Sequence, residues 1–208
     1  NTIRTEEYQA NGQTVDRRTQ HFYDGLNRRY GTRDAENRET VTVYDAVGNV
    51  LSVAGPWHNP STGEYYGEEF RYNAAGNLVW QRDADGNISE YWYDVAGNRT
   101  SATDARGEYF TTTYVYNALG LPVYSRQPSG TADDPTYVEQ FYEYDATGDL
   151  LAVVDGRAHG DPANTVYRTS YTYDAAHRRL SQTSPAGTVE HPTTVSEYYR
   201  YDAVGNLV

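Results

Sequence analysis

The sequence predicts an all-β fold, an array of antiparallel β-hairpins. Three observations lead to this prediction. A short motif of the form Tyr-Asp-x-x-Gly-Asn recurs along the 208 residues, aromatic residues recur two positions apart, and runs of strand-forming residues alternate with turn signals. Self-similarity with a period of roughly 20–50 residues is typical of repeat architectures, in which each unit packs mainly against its neighbours.

The repeat unit is clearest at residues 91–99, which read Tyr-Trp-Tyr-Asp-Val-Ala-Gly-Asn-Arg. Seven further copies, some of them degenerate, precede and follow it. The repeat tyrosines are Tyr23, Tyr44, Tyr72, Tyr93, Tyr116, Tyr144, Tyr173 and Tyr201. Their spacings are 21, 28, 21, 23, 28, 29 and 28 residues, so the period is a minimum of 21 with insertions.

The residues around each repeat tyrosine have the alternation of a β-strand. Tyr91 and Tyr93 are two apart, as are Tyr171 and Tyr173, and residues two apart in a strand share one face. A second strand-like run follows each motif, for example at residues 78–82 and 150–154, and ends at another turn signal. Each repeat is therefore predicted to contain two strands and two turns.

The motif itself has the chemistry of a tight turn. An Asp side chain can accept a hydrogen bond from the backbone two residues on, and glycine can adopt positive φ without steric cost. We therefore assign a structural role to the motif glycines Gly48, Gly76, Gly97, Gly120, Gly148 and Gly205. Hairpins stacked at about 4.8 Å per strand are expected to place the repeat tyrosines in ladders.

Three insertions rich in Gly, Pro, Asn and Asp are predicted to be loops, at residues 55–63, 128–135 and 158–164. Trp57 lies in the first of them. Its ring either covers the open end of a neighbouring hairpin or faces solvent, where it could stack on a sugar or a partner. Pro122 cannot donate to a β-ladder, which predicts an edge or rim position.

Composition excludes several classes of partner. The net charge is −12 and the pI is about 4.7, so the chain lacks the basic clusters that bind nucleic acid or anionic membranes. No apolar run approaches the roughly 18 residues of a membrane span, so membrane insertion is not expected. The chain has no cysteine, whereas 22 tyrosines supply large rings to a sequence that is only 38% hydrophobic.

No pattern of residues predicts catalysis, a metal site or a cofactor. Residues 83–87 resemble the start of a calcium loop, but the EF-hand positions for Gly and Glu fall on Ile88 and Asp94. The histidines are His21, His58, His159, His177 and His191, and they have no metal-ligand spacing. Carboxylates such as Glu68, Glu69, Asp133, Asp134 and Glu139 qualify as a glycosidase pair only by abundance. We predict that the chain is not an enzyme.

The repeated Tyr-Asp-x-x-Gly-Asn-Leu pattern resembles the YD repeats, or Rhs repeats, of bacterial Rhs proteins, of the C components of insecticidal toxin complexes and of the teneurin shell. The resemblance extends from about Tyr23 to Val208. It implies hairpins wound into a spiral sheet, as a barrel-shell or solenoid segment, secreted or exported and often enclosing a C-terminal toxin. Asp134-Pro135 and Asp161-Pro162 lack the continuation of the family's self-cleavage segment.

Two functions remain open at this point. The first is a structural segment, with residues 1–208 as a single array of about eight repeats cut from a longer bacterial protein, secreted or at the cell surface. Its partners would be its own flanking repeats or identical copies paired edge to edge, together with an enclosed toxin domain. The alternative is a module that binds carbohydrate or a cell-surface partner through exposed aromatic residues.

Overall fold

The structure, a computed structural model, describes residues 2–8, 14–58, 65–158, 160–187 and 190–208. Side chains are described from residue 19 onward, except for residues 56–66, 159 and 188–189. The chain divides into two compact units, Asn1–Tyr91 and Trp92–Val208. In the described ranges, neither short helical turn has the length or apolar character that a membrane span requires.

Sixteen β-strands make up the described secondary structure, apart from two 3-10 turns at Glu108–Phe110 and Gly156–Ala158. The first eight are β1 (Thr2–Tyr8), β2 (Thr14–Tyr23), β3 (Arg29–Arg33), β4 (Glu39–Tyr44), β5 (Val50–His58), β6 (Tyr65–Tyr72), β7 (Leu78–Arg82) and β8 (Ile88–Tyr93). The others are β9 (Arg99–Thr103), β10 (Thr111–Tyr116), β11 (Pro122–Pro128), β12 (Tyr137–Tyr144), β13 (Leu150–Val154), β14 (Arg168–Tyr173), β15 (Arg179–Pro185) and β16 (Thr194–Tyr198).

Within each unit, strands that follow one another in sequence lie side by side and antiparallel. In the first unit, Glu69 of β6 lies opposite Arg82 of β7. In the second unit, Tyr124 of β11 lies opposite Phe141 of β12, and Phe141 lies opposite Val154 of β13. The predicted all-β array of antiparallel hairpins is confirmed.

The ladder shifts by one residue at the repeat tyrosine. Val43 pairs with Ser52, whereas Tyr44 pairs with Val50, so one residue of β5 has no counterpart on β4. The same shift occurs beside Tyr23, Tyr72, Tyr116, Tyr144 and Tyr173. A β-turn followed by one residue in the left-handed region produces such a bulge, because the additional residue must be accommodated on one strand.

The two faces of each unit differ in exposure. Repeat tyrosines are half-buried, whereas the residue before the tyrosine points to the opposite face, and there Val43 is 46% and Val115 is 52% exposed. Among the described side chains, the buried hydrophobic residues are Ala152, Val154 and Ala158. Apolar burial is therefore distributed over many half-covered rings, and it is deepest where β13 meets the 3-10 turn Gly156–Ala158.

The predicted loop at residues 55–63 needs correction. β5 continues through Gly55–His58 and pairs again at His58 with Tyr65, beyond an irregularity that follows Ala54. The backbone of Trp57 thus belongs to a strand, and its side chain lies outside the described residues, as do residues 59–64. A proline within a strand is tolerated where the ladder is interrupted, which explains how Pro56 is accommodated.

In the described residues, the other two insertions depart from the predicted loops at their ends. Pro128 is the last residue of β11, and Gly156–Ala158 forms a 3-10 turn that overlaps the start of the third insertion. Pro122 begins β11 directly after a repeat turn. This is the rim position that was predicted, and a missing amide proton is tolerated at the first residue of a strand.

Candidate functional site

The candidate site is the series of turns that follow the repeat tyrosines, here called the tyrosine turns. Each has five positions, beginning at the Asp or Asn after the tyrosine. The first positions are Asp24, Asp45, Asn73, Asp94, Asn117, Asp145, Asp174 and Asp202. In each unit these turns lie at one end of the hairpins, because antiparallel strands in chain order return to the same rim at every second connection.

The turn of Asp94 shows how the motif closes. The Gly97 amide donates to the Asp94 carbonyl at 3.1 Å, and the Asp94 amide donates to the Asn98 carbonyl at 2.9 Å. Asp94 Oδ1 accepts from the amides of Ala96 and Asn98, and its Oδ2 accepts from Asn98 Nδ2, each at 2.9 Å. One carboxylate therefore satisfies three donors that the tight turn would otherwise leave to solvent.

These donors lower the pKa of the turn carboxylates. The pKa of Asp94 is lowered chiefly by the Asn98 side-chain amide, and the pKa of Asp174 chiefly by the side chain of Arg178. A lowered pKa in the folded state means that the carboxylate stabilises the fold above the ordinary Asp pKa. That contribution is lost as the pH falls through the folded-state value.

The fourth position of the turn adopts positive φ. It is 104° at Gly48, 82° at Gly76, 88° at Gly97, 75° at Gly120, 97° at Gly148 and 93° at Gly205. Asn27 and His177 occupy the same position with φ of 62° and 61°. These are residue types that enter the left-handed region more readily than other non-glycine residues.

Gly97→Ala is expected to destabilise the fold by about 1 kcal/mol, because a Cβ is disfavoured in the left-handed conformation. A Cβ at Gly97 would meet nothing within 4 Å, so the cost is conformational alone. Chemical denaturation followed by circular dichroism measures it. Gly97→Asn is the matched control and should lose less. Equal losses for the two variants would contradict the conformational explanation.

In two of the tyrosine turns, an arginine at the fifth position contacts the next turn or its tyrosine. Arg28 Nε donates to Asp24 Oδ2 at 2.7 Å, and its Nη1 donates to the carbonyl of Asp45 at 2.9 Å. The same guanidinium lies 4.7 Å from the ring centroid of Tyr44. In the second unit, Arg178 donates to Asp174 at 2.7 Å and lies 4.7 Å from the ring centroid of Tyr201. A single side chain thus closes its own turn and holds the next.

Repeat tyrosines also bind the preceding hairpin through their hydroxyls. Tyr44 donates to the carbonyl of Arg29 and Tyr116 to that of Arg99, both at 2.9 Å, and Tyr201 donates to that of Arg179 at 3.0 Å. Successive repeat tyrosines stand on every second strand, roughly 10 Å apart. The repeat tyrosines therefore recur along the sheet at every second strand, and the rings of Tyr44 and Tyr201 contact Arg28 and Arg178.

A shallow depression separates two of these turns in the second unit. It has a volume of about 520 Å³ and is lined by residues of the turns that begin at Asp145 and Asp174, with Leu151 and Tyr171. His177 Nδ1 and Asp149 Oδ2 are 2.8 Å apart beside it. Sequence reasoning did not connect these two residues, although each departs from the repeat pattern.

Two of the carboxylates considered for catalysis make side-chain contacts across the strands. Glu69 pairs with Arg82 at 2.6 Å, and Glu139 accepts from the Tyr124 hydroxyl at 2.5 Å. Burial, and then this hydrogen bond, raises the pKa of Tyr124 to about 12. In the part of the chain that the structure describes, no three His, Cys, Asp or Glu side chains are grouped to hold a metal. His159 and the His58 side chain lie outside that part.

Comparison with known proteins agrees with the repeat pattern. The RHS Repeat family model matches residues 72–109 and 144–189, which together are less than half of the chain. Recognition of Rhs repeats is thus confirmed in these two segments, which contain Tyr72, Tyr93, Tyr144 and Tyr173. No curated protein matches the chain by sequence.

Several solved structures are similar. The crystal structure of TcdB2-TccC3 is 16% identical with a TM-score of 0.47, over 99% of this chain and 14% of that one. The same complex without its hypervariable C-terminal region gives 18% identity and a TM-score of 0.42, over 99% and 14%. A porin-like protein from Bacteroides uniformis gives 11% identity and a TM-score of 0.36, over 93% and 87%. The chain thus spans only a small part of the toxin-complex chains that it matches.

Proposed function

We propose that this chain, with Rhs repeats at residues 72–109 and 144–189, is a non-enzymatic segment of the wall of an extracellular shell or fibre. The observation that carries the proposal is the coupling between successive tyrosine turns. Arg28 binds its own turn, the carbonyl of Asp45 and the ring of Tyr44. Arg178 likewise binds its own turn at Asp174 and the ring of Tyr201, so the two arginines link successive hairpins.

The distribution of burial supports the same role. With three buried hydrophobic residues among the described side chains, the units rely on backbone ladders and half-buried tyrosines. Stability of this kind adds up hairpin by hairpin, so an array can be extended without a new core. We propose that residues 1–208 form one such array.

The partners proposed for the wall are further repeats of the same polypeptide or identical copies, joined edge to edge. β16 pairs with β15 on one side, and all five of its residues are exposed. An exposed strand edge presents unpaired backbone groups that recruit another strand. A secreted or cell-surface bacterial location and an enclosed C-terminal toxin domain complete the proposal, supported by the resemblance to Rhs proteins.

Sedimentation velocity over a wide concentration range tests the proposal. The chain is expected to self-associate as its concentration rises, because the edge of β16 is open to pairing. Val195→Lys places a charge on this strand, at a residue that is 57% exposed, and should reduce association, since edge lysines oppose pairing. Val204→Lys, at an 83% exposed residue of the last tyrosine turn, is the matched control and should associate like the parent chain.

The second candidate function, a glycan- or surface-binding module, has one observation in its favour, since Trp92 is 46% exposed. Binding of the chain to a glycan array, abolished by Trp92→Ala, together with a monomer at every concentration, would replace the wall by this function. The half-buried state of the repeat tyrosines favours the wall, because a binding row would need its rings open to solvent.

A further inference from the structure

Successive tyrosine turns of the second unit meet in a constant way. The fourth position of each turn lies against the fifth-position side chain of the turn before it. A Cβ placed on Gly120 would lie 3.4 Å from Asn98 Oδ1, and one on Gly205 would lie 3.6 Å from Arg178 Nη1. Gly148 stands in the same relation to Leu121, at 3.5 Å. Three of the four junctions thus have glycine at the point of contact.

At the remaining junction, between the turns that begin at Asp145 and Asp174, the residues on both sides differ from this pattern. His177 replaces glycine at the contact point, and Asp149 replaces the asparagine found at the fifth position of four other tyrosine turns. Those asparagines include Asn49 and Asn98, whose amides donate to their own turn carboxylates. A carboxylate has no proton to donate in this way, so Asp149 is available as an acceptor for the following turn.

The two departures meet each other. His177 Nδ1 and Asp149 Oδ2 are 2.8 Å apart, within the range of a charge-assisted hydrogen bond. The Asp149 side chain is 17% exposed and the His177 side chain is 57% exposed. The carboxylate is therefore largely buried, whereas the imidazole that contacts it is open to solvent. His177 keeps a left-handed backbone, with φ of 61°, to do so.

We propose that His177 and Asp149 form a pH-responsive latch between two successive repeat turns, closed when the imidazole is protonated and weakened when it is neutral. The latch is inferred from the 2.8 Å contact between these two turns. A role for it in controlling the separation of neighbouring hairpins in a wall rests on the function proposed above.

The groups around the imidazole favour its protonated form. The preceding turn presents Asp149 and Asp145, and the turn of His177 presents Asp174. Their combined effect, led by the hydrogen bond with Asp149, raises the pKa of His177. Arg178, the nearest cation in sequence, is directed to Asp174 and to the ring of Tyr201. Tyr171 and Tyr173 line the adjoining depression, and burial chiefly raises the pKa of Tyr173.

The sign of the pH dependence follows from the raised pKa. A group that binds its proton more tightly when folded stabilises the fold below its unfolded pKa and loses that effect as the pH rises through the folded pKa. The latch therefore weakens towards alkaline pH. The turn carboxylates such as Asp94 and Asp174 act in the opposite sense, because their stabilisation is lost towards acid pH.

NMR titration of the histidine side chains in the whole chain tests the latch. The His177 midpoint is expected above the ordinary histidine value in the parent chain and should fall in Asp149→Asn, which installs the residue common at this position. Asp85→Asn removes the same charge from an exposed position in the first unit and should leave the midpoint unchanged. An unchanged His177 midpoint in Asp149→Asn would overturn the proposal.

Thermal unfolding gives a second readout. The difference in Tm between the parent chain and Asp149→Asn should be largest at mildly acid pH, between the ordinary pKa values of Asp and His, and should shrink as the pH rises through the His177 midpoint. His177→Gly restores the usual residue of the turn. In that background, the effect of Asp149→Asn on Tm should no longer depend on the protonation of residue 177. If the His177 midpoint shifts as expected but the chain does not self-associate at any concentration, the proposed wall function would be refuted. The latch would still be supported.

Discussion

Gly67→Ala is expected to lower the free energy of unfolding by about 3 kcal/mol, the upper part of the usual cost of overpacking. Gly67 lies opposite Ala54 where β5 and β6 pair. A Cβ on Gly67 would stand 2.5 Å from the carbonyl oxygen of Val53 and 3.0 Å from Cα of Ala54. Both are backbone atoms, so the strands themselves must move apart and the ladder beside them must weaken.

Urea denaturation measures this loss, with Gly25→Ala as the matched control in the same unit. A Cβ on Gly25 would meet nothing within 4 Å, and its φ lies outside the left-handed range. The control should change stability by less than about 0.5 kcal/mol, as is usual for a surface substitution. Similar values for the two variants would show that β5 and β6 do not approach as closely at Gly67 as the structure has them.

Val154→Ala is expected to cost about 2 kcal/mol, because it removes two methyl groups, each worth about 0.8 kcal/mol, and leaves a cavity. Val154 is 1% exposed, the largest fully buried side chain in the described part of the molecule. It lies opposite Phe141 of β12 and Arg168 of β14. These neighbours are fixed by their own ladders, so collapse around the missing methyl groups is limited.

Val115→Ala provides the comparison, since Val115 is a strand residue of the same unit but is 52% exposed. Its loss should stay below about 0.5 kcal/mol. Thermal and chemical denaturation of the two variants, monitored by tyrosine fluorescence, measure the difference. If Val115→Ala cost as much as Val154→Ala, the face that carries Val115 would have to be covered by another part of the protein.

The local structure of the hairpins could be predicted from the sequence because the residues that close each turn lie within the turn itself. Asp94, Gly97 and Asn98 are close in sequence, and the hydrogen bonds that close the turn all lie among residues 94–98. Nothing distant is needed to favour this geometry. The strands beside it follow from tyrosines two apart, and the structure confirms the resulting antiparallel array.

Other features depended on contacts between residues far apart in sequence. β5 continues to His58 because β6 is there to pair with it, although Gly55 and Pro56 indicated a loop. Arg28 contacts Tyr44 and Asp45, which lie 16 and 17 residues away, and its local sequence gives no indication of that contact. Such partners become neighbours only when the hairpins lie side by side in a definite register.

The sequence alone determined the unit of this protein: two strands, a turn closed by an Asp or Asn side chain, and a left-handed fourth residue. Those features depend on short-range sterics and hydrogen bonds. Tertiary structure decided which side chains of neighbouring repeats are in contact, including His177 with Asp149, and which side chains are buried, including Val154. The physical reason is that strand pairing brings together residues that are separated in the chain by a whole repeat, and only their register fixes which side chains meet.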